Sequence, residues 1–324
     1  MVRFLAIRVA QTILLLWLMS VIVFVALFAL GDPVSTFINP ASPPEVINAA
    51  MRNLGLDQPM HIQYLRFVEG ALKGELGNSY MSGRPALKLI AERLPATMEL
   101  AGFALLIATV FGIPLGLYGG FHPKSVLARG VEMFSLICVS LPAFWTALLL
   151  IVWFAVWAGL LPTGGRGETR IVLGVPLSFV TLDGLRHLIL PAINLSVYPM
   201  ALLMRLTRAG VHETLSSSFI RFARAKGLHP TRILFVYVMR AILPQLVTVM
   251  GMVAGGLLAF AVITETVFAW PGTGKLVVDA IQTSDRPVII AYLLFTVLLF
   301  SIINLVVDIV FAMLDPRGVV GGQD

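Results

Sequence analysis

Six long apolar segments constrain the fold of this chain more than any other feature. They lie at residues 9–30, 97–120, 132–160, 188–207, 241–266 and 287–313. Each reaches the ~20 residues that a helix needs to cross a bilayer. Charged residues make up only 12% of the chain, against about 25% in soluble proteins. The pattern predicts an all-α membrane protein with six transmembrane helices.

The distribution of basic residues predicts the orientation of these spans. Arg3 and Arg8 precede the first span, and Lys124 and Arg129 lie between the second and third. Short basic loops stay in the cytoplasm, so both termini are expected there. The first apolar stretch exceeds the ~7–15 residues of a signal-peptide core, so it is interpreted as an uncleaved helix. The net charge of +6 therefore reports topology, and nucleic acid is not an expected partner.

The spans divide the chain into four parts. These are an N-terminal transmembrane helix (1–30), an outer helical insertion (31–96), a five-helix transmembrane domain (97–313) and a cytoplasmic tail (314–324). The insertion is expected outside because the charge rule weakens for loops beyond about 60 residues.

The insertion carries signals for three helices. Ser42 and Glu45 suit a capping box, Gly55 can end that helix, and Asp57 can cap the next. Residues at helical spacing follow, namely His61, Leu65, Val68 and Leu72. Arg84-Pro85 is expected to begin a third helix. Either the insertion only packs against the protein, or it receives a soluble partner; the residues leave both open.

Motifs for catalysis or nucleotide binding are incomplete. Gly272-Thr273-Gly274-Lys275 resembles part of a phosphate-binding loop, but Ala269 occupies the first glycine position and Leu276 follows the lysine. His212-Glu213 lacks the second histidine of a zinc-protease helix, since Ser216 stands there. We therefore expect no catalytic residue and no metal site, and any ATP must be hydrolysed by another chain.

Three acidic residues lie in or at the ends of spans: Glu99, Glu265 and Asp308. Such residues usually face protein or water rather than lipid. Asp308 shares a helical face with Asn304. These two residues, with Glu265 and the interfacial Trp270, are candidates for a translocation path or gate. A purely structural polar contact between helices is the alternative, and it is favoured for Asp308.

Small residues and prolines give further expectations for the spans. Gly112 and Gly116, and the pair Gly251 and Gly255, lie four residues apart and favour close helix packing. Three prolines can bend their helices: Pro142, Pro191 and Pro199. One sequence does not distinguish a hinge from a static kink.

A basic stretch separates the fourth and fifth spans. It contains Arg208, Arg221, Arg224, Lys226, Arg232 and Arg240, with Glu213 as the single acidic residue. Gly227 is placed to end a short helix in the left-handed conformation, and Pro230 can open the next. The sequence thus predicts a short cytoplasmic helix at about 219–228. Topology or contact with anionic lipid would alone account for a basic loop.

Several motifs together resemble the permeases of binding-protein-dependent ABC importers, especially the dipeptide, oligopeptide and nickel group. The resemblance runs almost end to end. It rests on Arg221–Leu228 with Arg240–Pro244, and on the runs Leu54–Pro59, Gly74–Ser79, Leu94–Leu100, Thr264–Gly272 and Asn304–Asp308. Phe222 departs from the usual threonine, and Arg286 departs from the usual aromatic residue before Pro287.

The resemblance implies a role for the basic helix. It would be the coupling helix that docks on an ATPase, with contacts from Arg221, Ala223, Arg224, Ala225, Lys226, Gly227 and Leu228. The small residues Ala223, Ala225 and Gly227 would enter a groove, and Arg224 and Lys226 would contact its rim.

The resemblance also implies a type I ABC importer fold, a bacterial inner-membrane location, and di- or oligopeptides as substrates. The implied partners are a second homologous permease, two ATPase subunits that hold ATP and magnesium, and an extracytoplasmic substrate-binding protein. The chain itself would bind no cofactor. Nickel, glutathione or another small solute is the alternative substrate. An ATPase-independent channel or proton-coupled carrier is the alternative class, which would more often show paired ionisable residues at mid-membrane.

Overall fold

A computed structural model describes residues 2–29, 43, 45 and 58–314. The first elements in chain order are α1 (Val2–Ala29), α2 (Met60–Lys73), α3 (Ala86–Phe121), α4 (Val126–Ser140), α5 (Ala143–Trp157), and the strands β1 (Arg170–Val172) and β2 (Val175–Leu177). The remaining helices are α6 (Leu182–Ser216), α7 (Ser218–Ala225), α8 (Pro230–Val267), α9 (Thr273–Gln282) and α10 (Arg286–Leu314).

The predicted all-α membrane architecture is confirmed. Within the described residues, five helices are long and apolar enough to cross a membrane: α1, α3, α6, α8 and α10. The pair α4 and α5 passes the same test together, which gives six spans if the pair counts as one. Two helices, α5 and α8, contain π-helical turns, at Ile151–Trp157 and Ile233–Val238.

The third predicted span, 132–160, is two helices rather than one. Helices α4 and α5 meet at 109°. Leu141 and Pro142 between them are extended, with ψ of 132° and 135°. Proline disfavours the α conformation of the residue before it, which ends α4 at Ser140. By contrast, Pro191 and Pro199 lie inside the continuous helix α6.

Helix α2 confirms one predicted helix of the outer insertion but packs by an unexpected face. Ser20 of α1 and the hydroxyl of Tyr64 share a 2.8 Å hydrogen bond, and Phe24 contacts the rings of Tyr64 and Phe67. Leu65 and Leu72, from the predicted face, are 63% and 85% exposed. Aromatic residues between the predicted positions therefore make the contact.

The expected helix boundaries of the insertion need correction. The predicted caps Ser42, Gly55 and Asp57 lie outside the described residues, and Glu45 is helical. Helix α2 begins directly after Pro59. A helix does begin directly after the predicted Arg84-Pro85, because α3 starts at Ala86, but it continues without interruption through Pro95 into the span.

Contacts divide the chain into two compact units. The first comprises Met1–Leu94 with Leu276–Ser301, and the second Pro95–Lys275 with Ile302–Asp324. The described part of the first has a buried cluster that includes Ile90, Val277 and Val288. In the second, one buried cluster contains Leu100, Leu188, Leu257 and Trp270, and another surrounds Val211, Ile220 and Ile242.

A buried aspartate ties two loops together within the first unit. Ser79 Oγ donates to Asp285 Oδ2 at 2.6 Å, and the backbone N–H of Tyr80 donates to Oδ1 at 3.1 Å. Burial raises the pKa of the Tyr80 hydroxyl far above its usual range, against the opposing charge of Arg286. Tyr80 is therefore neutral at physiological pH.

Close packing at glycines agrees with the sequence-based expectation within the second unit. A Cβ on Gly112 would lie 2.9 Å from the Met200 carbonyl oxygen, and one on Gly116 would lie 2.6 Å from Thr207 Cβ. A Cβ on Gly251 would overlap the Val307 side chain. Substitution at these positions would push the helices apart.

Candidate functional site

The predicted basic helix is present as α7, which runs from Ser218 to Ala225. Two of its side chains anchor it: Ile220 is fully buried and Ala223 is 4% exposed. Both join the cluster that contains Val211, Ile233 and Ile242. These residues belong to α6 and α8, so α7 is packed against both membrane-spanning helices that flank it.

Helix α7 ends in a Schellman motif. The N–H of Leu228 donates to the Ala223 carbonyl at 3.3 Å, and the N–H of Gly227 donates to the Arg224 carbonyl at 2.9 Å. Gly227 has φ +75°, as predicted, and no described atom lies within 4 Å of an added Cβ. Leu228 packs on the same cluster as Ala223, the hydrophobic contact typical of this motif. Strain, rather than a clash, requires glycine there.

The exposed face of α7 is basic and aromatic. Arg221, Arg224, Ala225 and Lys226 are exposed, and Phe222 is 62% exposed. The Lys226 ammonium lies 4.6 Å from the centre of the Phe222 ring, a cation–π contact.

The structure changes the expected composition of this face. Ala223 points into the core, so it does not present a small surface to a partner. Phe219, which is 47% exposed, and Phe222 take that place. The spacing could have shown this, because Phe219 and Phe222 lie three apart and each precedes a buried residue, Ile220 or Ala223.

Arg208, counted in the basic stretch, belongs to α6 rather than to α7. Its guanidinium forms a 2.8 Å ion pair with Glu132 of α4. Both line a cavity of about 500 Å³, together with Arg205, His212 and Glu213.

Glu265 and Trp270, predicted as path or gate residues, are fully buried. Glu265 accepts hydrogen bonds from Thr97 Oγ1 at 2.7 Å and from the backbone N–H of Lys275 at 3.0 Å. Thr97 Oγ1 accepts from the Thr273 N–H at 2.8 Å. Trp270 Nε1 donates to the Ala96 carbonyl at 2.9 Å. We call Thr97, Glu265 and Thr273 the outer polar cluster.

The outer polar cluster joins two of the motifs on which the family resemblance rests. Thr97 belongs to Leu94–Leu100, and Glu265 belongs to Thr264–Gly272. A Cβ on Gly272 would overlap the Glu265 carboxylate. The glycine is thus required for the loop to pass over the acid. Neither Glu265 nor Trp270 has a side chain open to solvent, which differs from the expectation of a lining residue.

Glu99 fixes the loop after α5. Its carboxylate, fully buried, accepts from Arg166 Nη2 at 2.7 Å and Nε at 3.2 Å. It also accepts from Ser178 Oγ and from the backbone N–H groups of Ser178 and Phe179, each at 2.8 Å. A buried carboxylate with this many donors is fully satisfied, so Glu99 anchors the hairpin β1–β2.

Asn304 and Asp308 lie one turn apart on α10, as predicted, and both are half-buried. Their side chains are neither fully buried nor fully exposed, so both residues remain candidates for the translocation path.

Sequence reasoning missed a cavity of about 420 Å³ between α6, α8 and the α4–α5 break. We call it the mid-span cavity; it is lined by Leu141, Ala143, Asn194, Leu195, Tyr198, Pro199, Leu202, Met252, Val253, Gly256, Leu257, Phe260 and Thr264. Asn194 is 3% exposed. Its amide accepts from Thr146 at 2.6 Å and donates to Thr264 at 3.0 Å. The only sequence signal was the pair of prolines, Pro142 and Pro199.

Comparison with known families identifies the class of protein. Residues 112–319 match the family described as "Binding-protein-dependent transport system inner membrane component", and residues 1–101 match the N-terminal family of the same systems. The chain belongs to this family. It is a permease subunit of an ABC importer.

Individual relatives place the chain within that class. It is 38% identical to the di/tripeptide transport system permease protein DppB of Pseudomonas aeruginosa over 300 residues, which cover 89% of both chains. It is 35% identical to the dipeptide transport system permease protein DppB of Escherichia coli, again with 89% of each covered. It is 37% identical to the probable D,D-dipeptide transport system permease protein DdpB of Escherichia coli over 91% of this chain and 90% of that protein.

A solved structure supports the fold. An inward-facing structure of the MetNI methionine ABC transporter matches 71% of this chain and 98% of its own, with a TM-score of 0.56 and 18% identity. The predicted type I importer permease fold is thereby confirmed.

Proposed function

We propose that this permease moves di- or oligopeptides into the cell by alternating access, with α7 as the lever that an ATPase moves. The role of α7 as a lever is supported by the difference between its two sides. Ile220 and Ala223 bury one side against α6 and α8, and a basic and aromatic face is left exposed. A helix bound to two spans can transmit force to them, because packed elements move as units rather than deform continuously.

The proposed partners follow from the family and from this surface. Two ATPase subunits bind ATP and magnesium, and one of them receives the face of α7 that contains Arg221, Phe222, Ala225 and Lys226. A second homologous permease completes the path, and an extracytoplasmic binding protein delivers substrate. The chain itself performs no chemistry and holds no cofactor. It resides in the bacterial inner membrane with both termini in the cytoplasm.

The peptide substrate is supported by relatives at 35–38% identity whose names refer to dipeptides or tripeptides. Deletion of the gene should abolish uptake of a short peptide that the partner binding protein recognises, and restored expression should recover it. If peptide uptake persists while uptake of nickel or glutathione is lost, the substrate belongs to the alternative group. Uptake that continues without the ATPase subunits would instead indicate a carrier.

Orientation is tested with single cysteines in a variant in which Cys138, the only cysteine, is replaced by alanine. Leu173 in the hairpin is fully exposed and Ala225 in α7 is exposed. An impermeant thiol reagent on intact spheroplasts should label Leu173→Cys and leave Ala225→Cys unlabelled until the cells are opened. The reverse pattern would overturn the orientation.

A further inference from the structure

We propose that the mid-span cavity binds the uncharged part of the peptide, its apolar side chains and amide group, during passage through the permease. This inference rests on the proposed peptide-import function. Of the residues that line this site, all except Thr264 lie outside the motifs that carry the family resemblance.

The position of the cavity suits a site halfway along the path. Tyr198 lies near the middle of α6, with roughly 25 Å of helix on either side at ~1.5 Å per residue. The break between α4 and α5 removes continuous helix from one wall at Leu141. The cavity therefore exists because Pro142 interrupts a span at this depth.

The lining selects uncharged groups. Among the described residues that form it there is no Asp, Glu, Lys, Arg or His, and most side chains are aliphatic or aromatic. Transfer of a charge into such surroundings without a partner is strongly unfavourable. The described lining residues offer a metal ion neither a carboxylate nor an imidazole ligand. Aliphatic side chains of the peptide would pack against Leu195, Met252 and Phe260.

One edge of the cavity is polar and is suited to an amide. Asn194 uses one N–H for Thr264 and its carbonyl oxygen for Thr146. Its second N–H has no acceptor within the described part of the chain. Pro199 has no N–H to donate to the Leu195 carbonyl one turn earlier. The second Asn194 N–H and the Leu195 carbonyl, which loses its regular helical donor, are the groups that we assign to one peptide group of the substrate.

The size also fits. About 420 Å³ lies within the roughly 300–1,000 Å³ typical of small-molecule sites. Gly256 forms part of the wall, and an added Cβ there would meet only the Phe260 ring, at 4.0 Å. A larger side chain at Gly256 would therefore occupy the cavity without displacing backbone.

The test uses the complete importer, reconstituted in proteoliposomes with its ATPases and binding protein. Uptake of Ala-Ala and Leu-Leu is measured with both peptides at concentrations that saturate the binding protein, so that differences arise in the permease. Gly256→Leu should lower Leu-Leu uptake at least about tenfold and Ala-Ala uptake less than about twofold, since a pocket that loses volume discriminates by side-chain size.

Two further variants separate occupancy from general damage. Gly102→Leu is the matched control, because Gly102 is an exposed glycine of α3 with no described atom within 4 Å of an added Cβ; both peptides should be transported normally. Addition of Phe260→Ala to Gly256→Leu should restore Leu-Leu uptake, since it returns volume to the cavity. Gly256→Val, a smaller change, should give a smaller but equally selective loss.

The outcomes distinguish the two proposals. If the unmodified importer transports neither these nor other peptides that the binding protein holds, the proposed function fails. If it transports both peptides, but Gly256→Leu and Gly256→Val lower both equally or neither, the cavity is not on the peptide's path. A lipid tail or a helix of the second permease would then be its occupant. Failure of Phe260→Ala to restore Leu-Leu uptake would also overturn the site.

Discussion

The outer polar cluster and helix α7 both hold charged residues from motifs that resemble the permease family, yet they use charge in opposite ways. Glu265 has no exposed surface and accepts from Thr97 and Lys275. On α7 the burial is apolar, through Ile220 and Ala223, and the charges are exposed. The first arrangement holds segments of one chain together, whereas the second leaves a surface for another chain.

This difference shows that an ionisable residue in a membrane protein does not by itself indicate the path. Glu99 accepts hydrogen bonds from the loop that follows α5, and Glu265 accepts them from Thr97 of α3 and Lys275 of α9. The mid-span cavity, in contrast, contains no carboxylate among its described lining residues. At Glu99 and Glu265 charge holds segments of the chain together, whereas the mid-span cavity is lined by apolar and amide groups.

The largest expected effect is on the outer polar cluster. Glu265→Ala should leave the Thr97 hydroxyl and the Lys275 N–H without their buried acceptor and destabilise the protein by about 3 kcal/mol. Thermal unfolding in detergent, followed by tryptophan fluorescence, measures this. Glu168→Ala, at an exposed position, is the control and should have no effect. Unchanged stability with transport lost would instead make Glu265 a gate residue.

A smaller effect is expected where α7 ends. Gly227→Val places a β-branched residue at φ +75°, which costs roughly 1–2 kcal/mol and should distort the Schellman motif. Recovery of the ATPase subunits by co-purification should fall while the permease still inserts. The matched control is Gly130→Val, because Gly130 has equally open surroundings without a positive φ. Equal recovery from both variants would contradict a role for this geometry in docking.

The smallest expected effect on stability comes from the aromatic part of the same surface. Phe222→Ala removes an exposed ring and should change the free energy of unfolding by less than about 0.5 kcal/mol. It should nevertheless weaken ATPase docking, because exposed aromatic residues contribute strongly to interfaces. Phe235→Ala, at a similarly exposed ring (64%) on α8, is the comparison. A loss of docking in both variants, or in neither, would remove Phe222 from the interface.

Local sequence signals predicted the elements that depend on nearby residues. Apolar length located five spans and the apolar α4–α5 pair, and the order of Gly227 and Pro230 located the end of α7 and the start of α8. Both are properties of a few adjacent residues, so they can be derived from a single sequence.

Other features were not accessible because they depend on packing between distant segments. The burial of Glu265 requires Thr97, 168 positions away, and the inward direction of Ala223 depends on the placement of α6 and α8. Pro142 signalled a bend, but its angle of 109° and the cavity beside it follow from tertiary packing. The contact of Tyr64 and Phe67 with α1 was missed because Leu65 and Leu72 gave an equally good helical stripe.

The central claim is that α7 transmits ATPase closure to the spans, and Ala225→Asp tests it most directly. Ala225 is exposed on the proposed docking face. In reconstituted complexes, Ala225→Asp should abolish the stimulation of ATP hydrolysis by loaded binding protein, together with uptake, while the permease remains folded. The double variant Arg224→Gln/Lys226→Gln removes the charges that contact with anionic lipid requires. Normal stimulation and uptake in Ala225→Asp, with loss only in the double variant, would contradict the claim and leave α7 as a lipid-binding loop.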